Sequence, residues 1–176
     1  MDCILVRHGI AVERDEWEGT DADRPLTERG AKRVEQVAAG LKWLDVKPTH
    51  IFSSPLVRAV ETARILQTTF ALRASIRRVE ELLPGAEPER LVHLLHDLPD
   101  KSCVLFAGHE PHLSAAASVM LTGKSSQAFP FKKGGACLIE MPVPAKPGHG
   151  ILRWWMGPAE LRAVGKKQAK LEAKER

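Results

Sequence analysis

Asp2-Cys3-Ile4-Leu5-Val6-Arg7-His8-Gly9 opens the chain as a short apolar, partly β-branched run that stops at an arginine, a histidine and a glycine. A run this short and continuously apolar predicts a strand buried on both faces, with Arg7-His8-Gly9 delivered to its C-terminal end. The pattern recurs. Ser102 to Ala107 is a second such run, followed by Gly108-His109, and Thr49 to Phe52 is a third, ending in Ser53-Ser54-Pro55.

Helices are predicted between these strands. From Thr27, placed as an N-cap, Ala31, Val34, Val37, Leu41 and Leu44 recur at three- and four-residue spacing, the stripe of an amphipathic helix. Pro55 suits the first turn of a helix carrying Leu56, Ala59, Ala63 and Leu66 inward, with Arg58 one turn in. Pro88 to Leu98 reads as another helix, Ile76 to Val79 as a short strand, and Pro111 opens a small-residue helix to Leu121. Ala136 to Met141 and Ile151 to Met156, separated by a Pro/Gly-rich stretch, read as two strands joined by a turn. Strands alternating with helices predict an α/β three-layer sandwich with a mainly parallel central sheet. Such sheets bind ligands beyond the strand C-termini. Here three strand ends carry polar groups.

At 176 residues with 44% hydrophobic content the chain fits one domain, expected over residues 1–162 with a basic tail over 163–176. Six of the 26 Lys/Arg and three of the 22 Asp/Glu fall in residues 158–176, leaving 20 basic against 19 acidic residues in the body. That near-neutral body argues against nucleic-acid binding, and no apolar run is long enough to span a bilayer. A soluble cytoplasmic protein is expected. The three cysteines, Cys3, Cys103 and Cys137, are dispersed among apolar residues, as buried reduced thiols would be.

A phosphoryl group in transfer spreads negative charge over three oxygens, so it needs fixed cationic donors and an in-line nucleophile. Arg7, Arg58 and His109 can donate, and neutral His8 can attack, with its tautomer fixed by a carbonyl at the Gly9 turn. Gly9 would also let backbone approach a phosphate. Glu61 is placed to orient Arg58 as an i,i+3 pair. Arginines supply the charge a metal would bring, so neither metal nor cofactor is expected.

These residues, with Arg24-Pro25-Leu26-Thr27-Glu28-Arg29-Gly30 and Ser53 through Ala63, resemble the histidine phosphatase superfamily, whose fold is phosphoglycerate mutase-like. The short length and the Arg-Pro-Leu-Thr after an acidic loop are similar to the SixA-type phosphohistidine phosphatases. The resemblance implies that His8 is phosphorylated, that Arg7, Arg58 and His109 hold the phosphoryl oxygens, and that Arg24 assists at the pocket mouth. It implies a phosphohistidine protein as substrate. Small-molecule phosphate esters and a non-catalytic phosphate-binding module are the alternatives. An ester substrate needs a general acid, for which Glu81 is the candidate and the loop acid Asp21 the substitute.

Overall fold

The computed structural model describes residues 1–172. Its strands are β1 (Asp2–Arg7), β2 (His50–Ser53), β3 (Arg77–Arg78), β4 (Cys103–Gly108), β5 (Ala136–Glu140) and β6 (Ile151–Met156). The helices are α1 (Glu28–Trp43), α2 (Val57–Thr69), α3 (Glu89–His93), α4 (His112–Thr122) and α5 (Pro158–Glu172). Six strands form one sheet in the order β3-β2-β4-β1-β5-β6. β3, β2, β4 and β1 pair in parallel, while β5 is antiparallel to both β1 and β6. Only β5 therefore runs against the rest.

Successive strand side chains point to opposite faces, and the core divides accordingly. Cys3, Leu5, Phe52, Val104 and Phe106 pack with Leu91 and Val92 of α3 and Leu113, Ala117 and Met120 of α4. Ile4, Val6, Ile51, Leu105 and Ala107 pack with Val37 and Leu41 of α1, Ala63 and Leu66 of α2, and Leu161 of α5. Helices thus cover both faces, giving the expected three layers. Each large apolar side chain buried in this way contributes roughly 1.5–3 kcal/mol. All three cysteines are buried and free.

Thr27 caps α1 as its position predicts, its hydroxyl accepting from Gly30 N at 2.9 Å. Other expectations need correction. The helix predicted over Pro88–Leu98 is helical only over Glu89–His93; three-residue turns follow, with Leu95 N donating to Val92 O and Leu98 N to Leu95 O. The strand predicted over Ile76–Val79 shrinks to Arg77–Arg78, because only those residues pair with β2. Pro55 precedes α2 instead of occupying its first turn, since Leu56 is the N-cap.

The boundary drawn between 162 and 163 falls inside α5, which continues without a break. Gly165 is buried against α1, where a Cβ would lie 2.8 Å from Gln36 O and 2.9 Å from Gly40 N. Gly40 faces Leu161 in the same way, with a Cβ falling 2.0 Å from its carbonyl oxygen. Two glycines let α1 and α5 cross at near-backbone contact. Among the described residues no helix is long and apolar enough to cross a membrane.

Candidate active site

The sheet order sets the site. β4 lies between β1 and β2, and the register places Arg7 beside Gly108, so the next residues, His8 and His109, emerge side by side. Their ring centroids are 4.9 Å apart. On the other flank Ser54 N donates to Ala107 O at 3.0 Å, which anchors the turn into α2 and brings Arg58 to the same strand ends. His8, Arg58 and His109 are all buried, at 6%, 4% and 2% exposure.

His8 Nδ1 lies 2.7 Å from Gly9 O. A carbonyl oxygen only accepts, so Nδ1 carries the proton and Nε2 keeps its lone pair. Burial first, then the charges of Arg58, Arg7 and Lys133, push the His8 pKa down to about 3, overriding the Gly9 hydrogen bond that favours protonation. His109 is pushed down to about 2 by burial and then by His8 and Arg58. Both imidazoles are therefore neutral near pH 7. A neutral imidazole with its lone pair at Nε2 is the form that attacks phosphorus.

Cationic donors surround this ring. Arg7 donates through Nη1 to Phe131 O, while its Nε is buried with no partner among the described residues. Arg58 donates through Nη1 to Asp21 O at 2.7 Å and through Nη2 to Asp21 Oδ2 at 3.0 Å; its Nε is likewise buried and unpartnered. Both ring nitrogens of His109 share that condition. A buried donor without an acceptor costs about 1–3 kcal/mol, and the Nε–H groups of both guanidiniums whose charges act on His8 are in that state. Surface clefts of about 390–420 Å³ exist elsewhere, but none is lined by these four residues. Chemistry, not size, locates the site.

Several supporting groups were not legible in the sequence. Thr62 Oγ1 accepts from Gly9 N at 3.1 Å and donates to Arg58 O at 2.8 Å, tying the His8-Gly9 turn to α2. Glu110 accepts from Phe131 N at 3.0 Å and from Ser114 Oγ at 2.6 Å, bracing the segment whose Phe131 carbonyl receives Arg7. Its charge favours the protonated guanidinium of Arg7 against burial. The one local signal for Glu110 is its place directly after His109.

Glu61 does not orient Arg58: its Oε2 accepts from Leu26 N at 2.7 Å, and Asp21, reaching across from the loop, pairs with Arg58 instead. Gly9 offers no free backbone donor, since Thr62 takes its N–H and His8 its carbonyl. It is glycine because a Cβ there would sit 2.5 Å from Val34 Cγ2. Arg24 bonds to its own loop, donating through Nη1 to Val12 O at 2.6 Å and meeting Asp21 Oδ1 through Nη2 at 3.0 Å. Burial of Asp21 would raise its pKa, yet the Arg24 hydrogen bond and the Arg58 charge outweigh that and lower it. Asp21 is thus a bound anion, unsuited to donate a proton. Glu81 is engaged by Arg90 at 2.9 Å.

A family model described as the histidine phosphatase superfamily (branch 1) matches residues 3–83, the stretch that supplies Arg7, His8 and Arg58. The chain belongs to the histidine phosphatase superfamily. An uncharacterized protein of Picosynechococcus sp. is 32% identical over 142 residues, covering 77% of this chain and 82% of that protein. The structure of the protein histidine phosphatase SixA complexed with tungstate superposes with a TM-score of 0.81 at 24% identity, covering 92% of this chain and 99% of SixA. A phosphoserine phosphatase of Entamoeba histolytica bound to phosphoserine superposes at 0.66 and 17% identity, over 91% of this chain and 98% of its own. Both share the fold of this superfamily member.

Proposed function

We propose that this superfamily phosphatase takes the phosphoryl group of a protein phosphohistidine onto His8 Nε2 and passes it to water. The substrate ring, protonated on its other nitrogen from solvent, leaves as neutral imidazole as its P–N bond breaks and a new one forms to His8; water then displaces neutral His8, giving up its proton to solvent, and phosphate is released. Arg7 and Arg58 would hold the equatorial oxygens through donors that include their unpartnered Nε groups, with His109 beside them. The observation that carries the reading is the His8 tautomer: Nδ1 is spent on Gly9 O, which leaves Nε2 as the attacking atom.

Phosphohistidine is favoured as substrate by the state of the nearby acids. Asp21 is held by two arginines and Glu81 meets Arg90 in a half-exposed pair, so each would have to give up a cationic partner before protonating an alkoxide. Imidazole leaves without that help, and an alkoxide does not. SixA is itself a protein histidine phosphatase seen with an oxyanion, tungstate, which agrees with this choice. A phosphomonoesterase is the second reading, favoured by the fold shared with a phosphoserine phosphatase.

Turnover of a phosphohistidine protein, a phosphoserine peptide and small alkyl phosphates, compared under one condition, tests the substrate. Acid-labile label should be trapped on His8, and His8→Ala should lose turnover while still binding vanadate. Label on another residue would remove His8 from its role. Faster turnover of alkyl phosphates than of phosphohistidine would favour the second reading.

A further inference from the structure

Beside the site lies a group of arginines that the chemistry above does not use. Arg29 and Arg33 stand one turn apart on α1, and Arg162 projects from α5, which crosses α1 at Gly40 and Gly165. Arg33, Arg162 and Lys133 line one cleft with Gly9 and Ile10, the residues that follow the nucleophile. None of the three arginines has an ion-pair partner among the described residues, whereas Lys133 meets Glu13 at 3.4 Å. The Arg33 guanidinium loses basicity to partial burial and then to the charges of Arg29 and Arg162, so the three feel one another. Lys133 carries the positive field inward, since its charge acts on His8.

A cluster of like charges sets up a local positive potential that attracts and steers an anionic partner. The cleft between them is about 40 Å³, far below the roughly 300 Å³ at which small-molecule pockets begin. The arginines therefore present a surface, not a metabolite pocket. No aromatic side chain lines it, which removes the stacking platform that single-stranded nucleic acid uses.

We propose that Arg29, Arg33 and Arg162 form a docking surface for an acidic face of the phosphorylated protein partner, placing its phosphohistidine over His8. This rests on the phosphohistidine reading given above. Charges at such a rim act mainly on encounter and on salt dependence, and leave the chemical step alone. Docking would then appear in KM for protein substrates and be absent for small ones.

The test uses the full chain and the triple variant Arg29→Gln, Arg33→Gln, Arg162→Gln, none of which touches the catalytic groups. The probes are free phosphohistidine and two peptides carrying one phosphohistidine, flanked in one by glutamates and in the other by glutamines. Wild type should show a KM about tenfold lower for the glutamate peptide, an advantage lost in the variant and at high salt. Free phosphohistidine should be turned over equally by both proteins, which also shows that the variant folds. Equal KM for the two peptides with wild type, or an advantage kept by the variant, would overturn the proposal. Anisotropy with the unphosphorylated peptides reads docking separately: the glutamate peptide should bind wild type more tightly than it binds the variant. That arm decides the surface even if phosphohistidine is not turned over, an outcome that would refute the substrate reading alone. Tighter binding of a single-stranded oligonucleotide than of the glutamate peptide would overturn the acidic-protein assignment.

Discussion

Arg58 and Asp21 are locked together twice, Nη2 on the carboxylate at 3.0 Å and Nη1 on the backbone carbonyl at 2.7 Å, although 37 residues separate them. Asp21 thus covers the two terminal nitrogens that a phosphoryl group would also use. An anion arriving at Arg58 must share the guanidinium with Asp21 or displace it.

Asp21→Ala should therefore tighten binding of inorganic phosphate. The Asp21 side chain is 49% exposed, so solvent screens the pair and the gain should be no more than about 1 kcal/mol, roughly fivefold in the inhibition constant. Catalysis should fall, because Arg58 loses the contact that fixes its fork. Weaker phosphate binding in the variant would mean that Asp21 positions Arg58 for the oxyanion and does not compete with it.

Thr62 bridges Gly9 N and Arg58 O, so it holds the His8-Gly9 turn and Arg58 in register. Thr62→Val keeps the shape but leaves the Gly9 N–H buried and unpaired, costing about 1–3 kcal/mol of stability. Turnover number should fall on the order of tenfold through misplacement of His8, with KM little changed. Thr62→Ser restores both bonds and should recover most of the rate. A Ser variant as slow as the Val variant would show that the methyl packing matters and the bridge does not.

The two buried imidazoles predict a pH dependence of stability. Both have pKa values depressed by burial, to about 3 for His8 and about 2 for His109, against about 6.5 when unfolded. The unfolded chain takes up protons that the folded one refuses. Their contribution is therefore fully present above about pH 6.5 and is lost as pH falls toward 3, by up to about 1.4 kcal/mol per pH unit for each group. Denaturant midpoints should drop between neutral and mildly acidic pH, and more gently in His109→Asn. Parallel slopes for the two proteins would show that His109 does not report this linkage.

What the sequence reveals about this protein is local. Strands β1 and β4 and helix α1 were legible because each carries its own periodicity, and the residues at their ends pointed to the site. Contacts between distant segments leave no such mark. Asp21 reaches Arg58 and Glu61 reaches Leu26 across loops whose course depends on the assembled sheet, so the nearer Glu61 was the natural but mistaken partner for Arg58. The basic composition after residue 162 concealed that Leu161 and Gly165 seat α5 on α1. Gly40→Ala should accordingly destabilise the protein by about 1–3 kcal/mol or more, through overpacking against Leu161 O. Thermal unfolding measures this, and an unchanged midpoint would mean that α5 shifts freely to accept the methyl.

Glu81 separates the two substrate readings. An acid accelerates expulsion of a leaving group in proportion to how poorly that group leaves, so it matters for an alkoxide and little for imidazole. Here its carboxylate is paired with Arg90 at 2.9 Å, a contact that would have to break before it reached a substrate. Glu81→Gln keeps the shape, removes the transferable proton and leaves Arg90 a carbonyl to bond. On phosphohistidine this variant should keep most of its activity, while weak turnover of unactivated alkyl phosphates falls further. Arg90→Ala supplies the converse, because a released Glu81 should raise alkyl phosphate turnover if it can reach the leaving group at all. An equal, large loss on both substrates in Glu81→Gln would assign Glu81 to placing the phosphoryl group or the attacking water. Robust alkyl phosphate turnover in wild type that collapses in Glu81→Gln, beside negligible turnover of phosphohistidine, would make the phosphomonoesterase reading the better one.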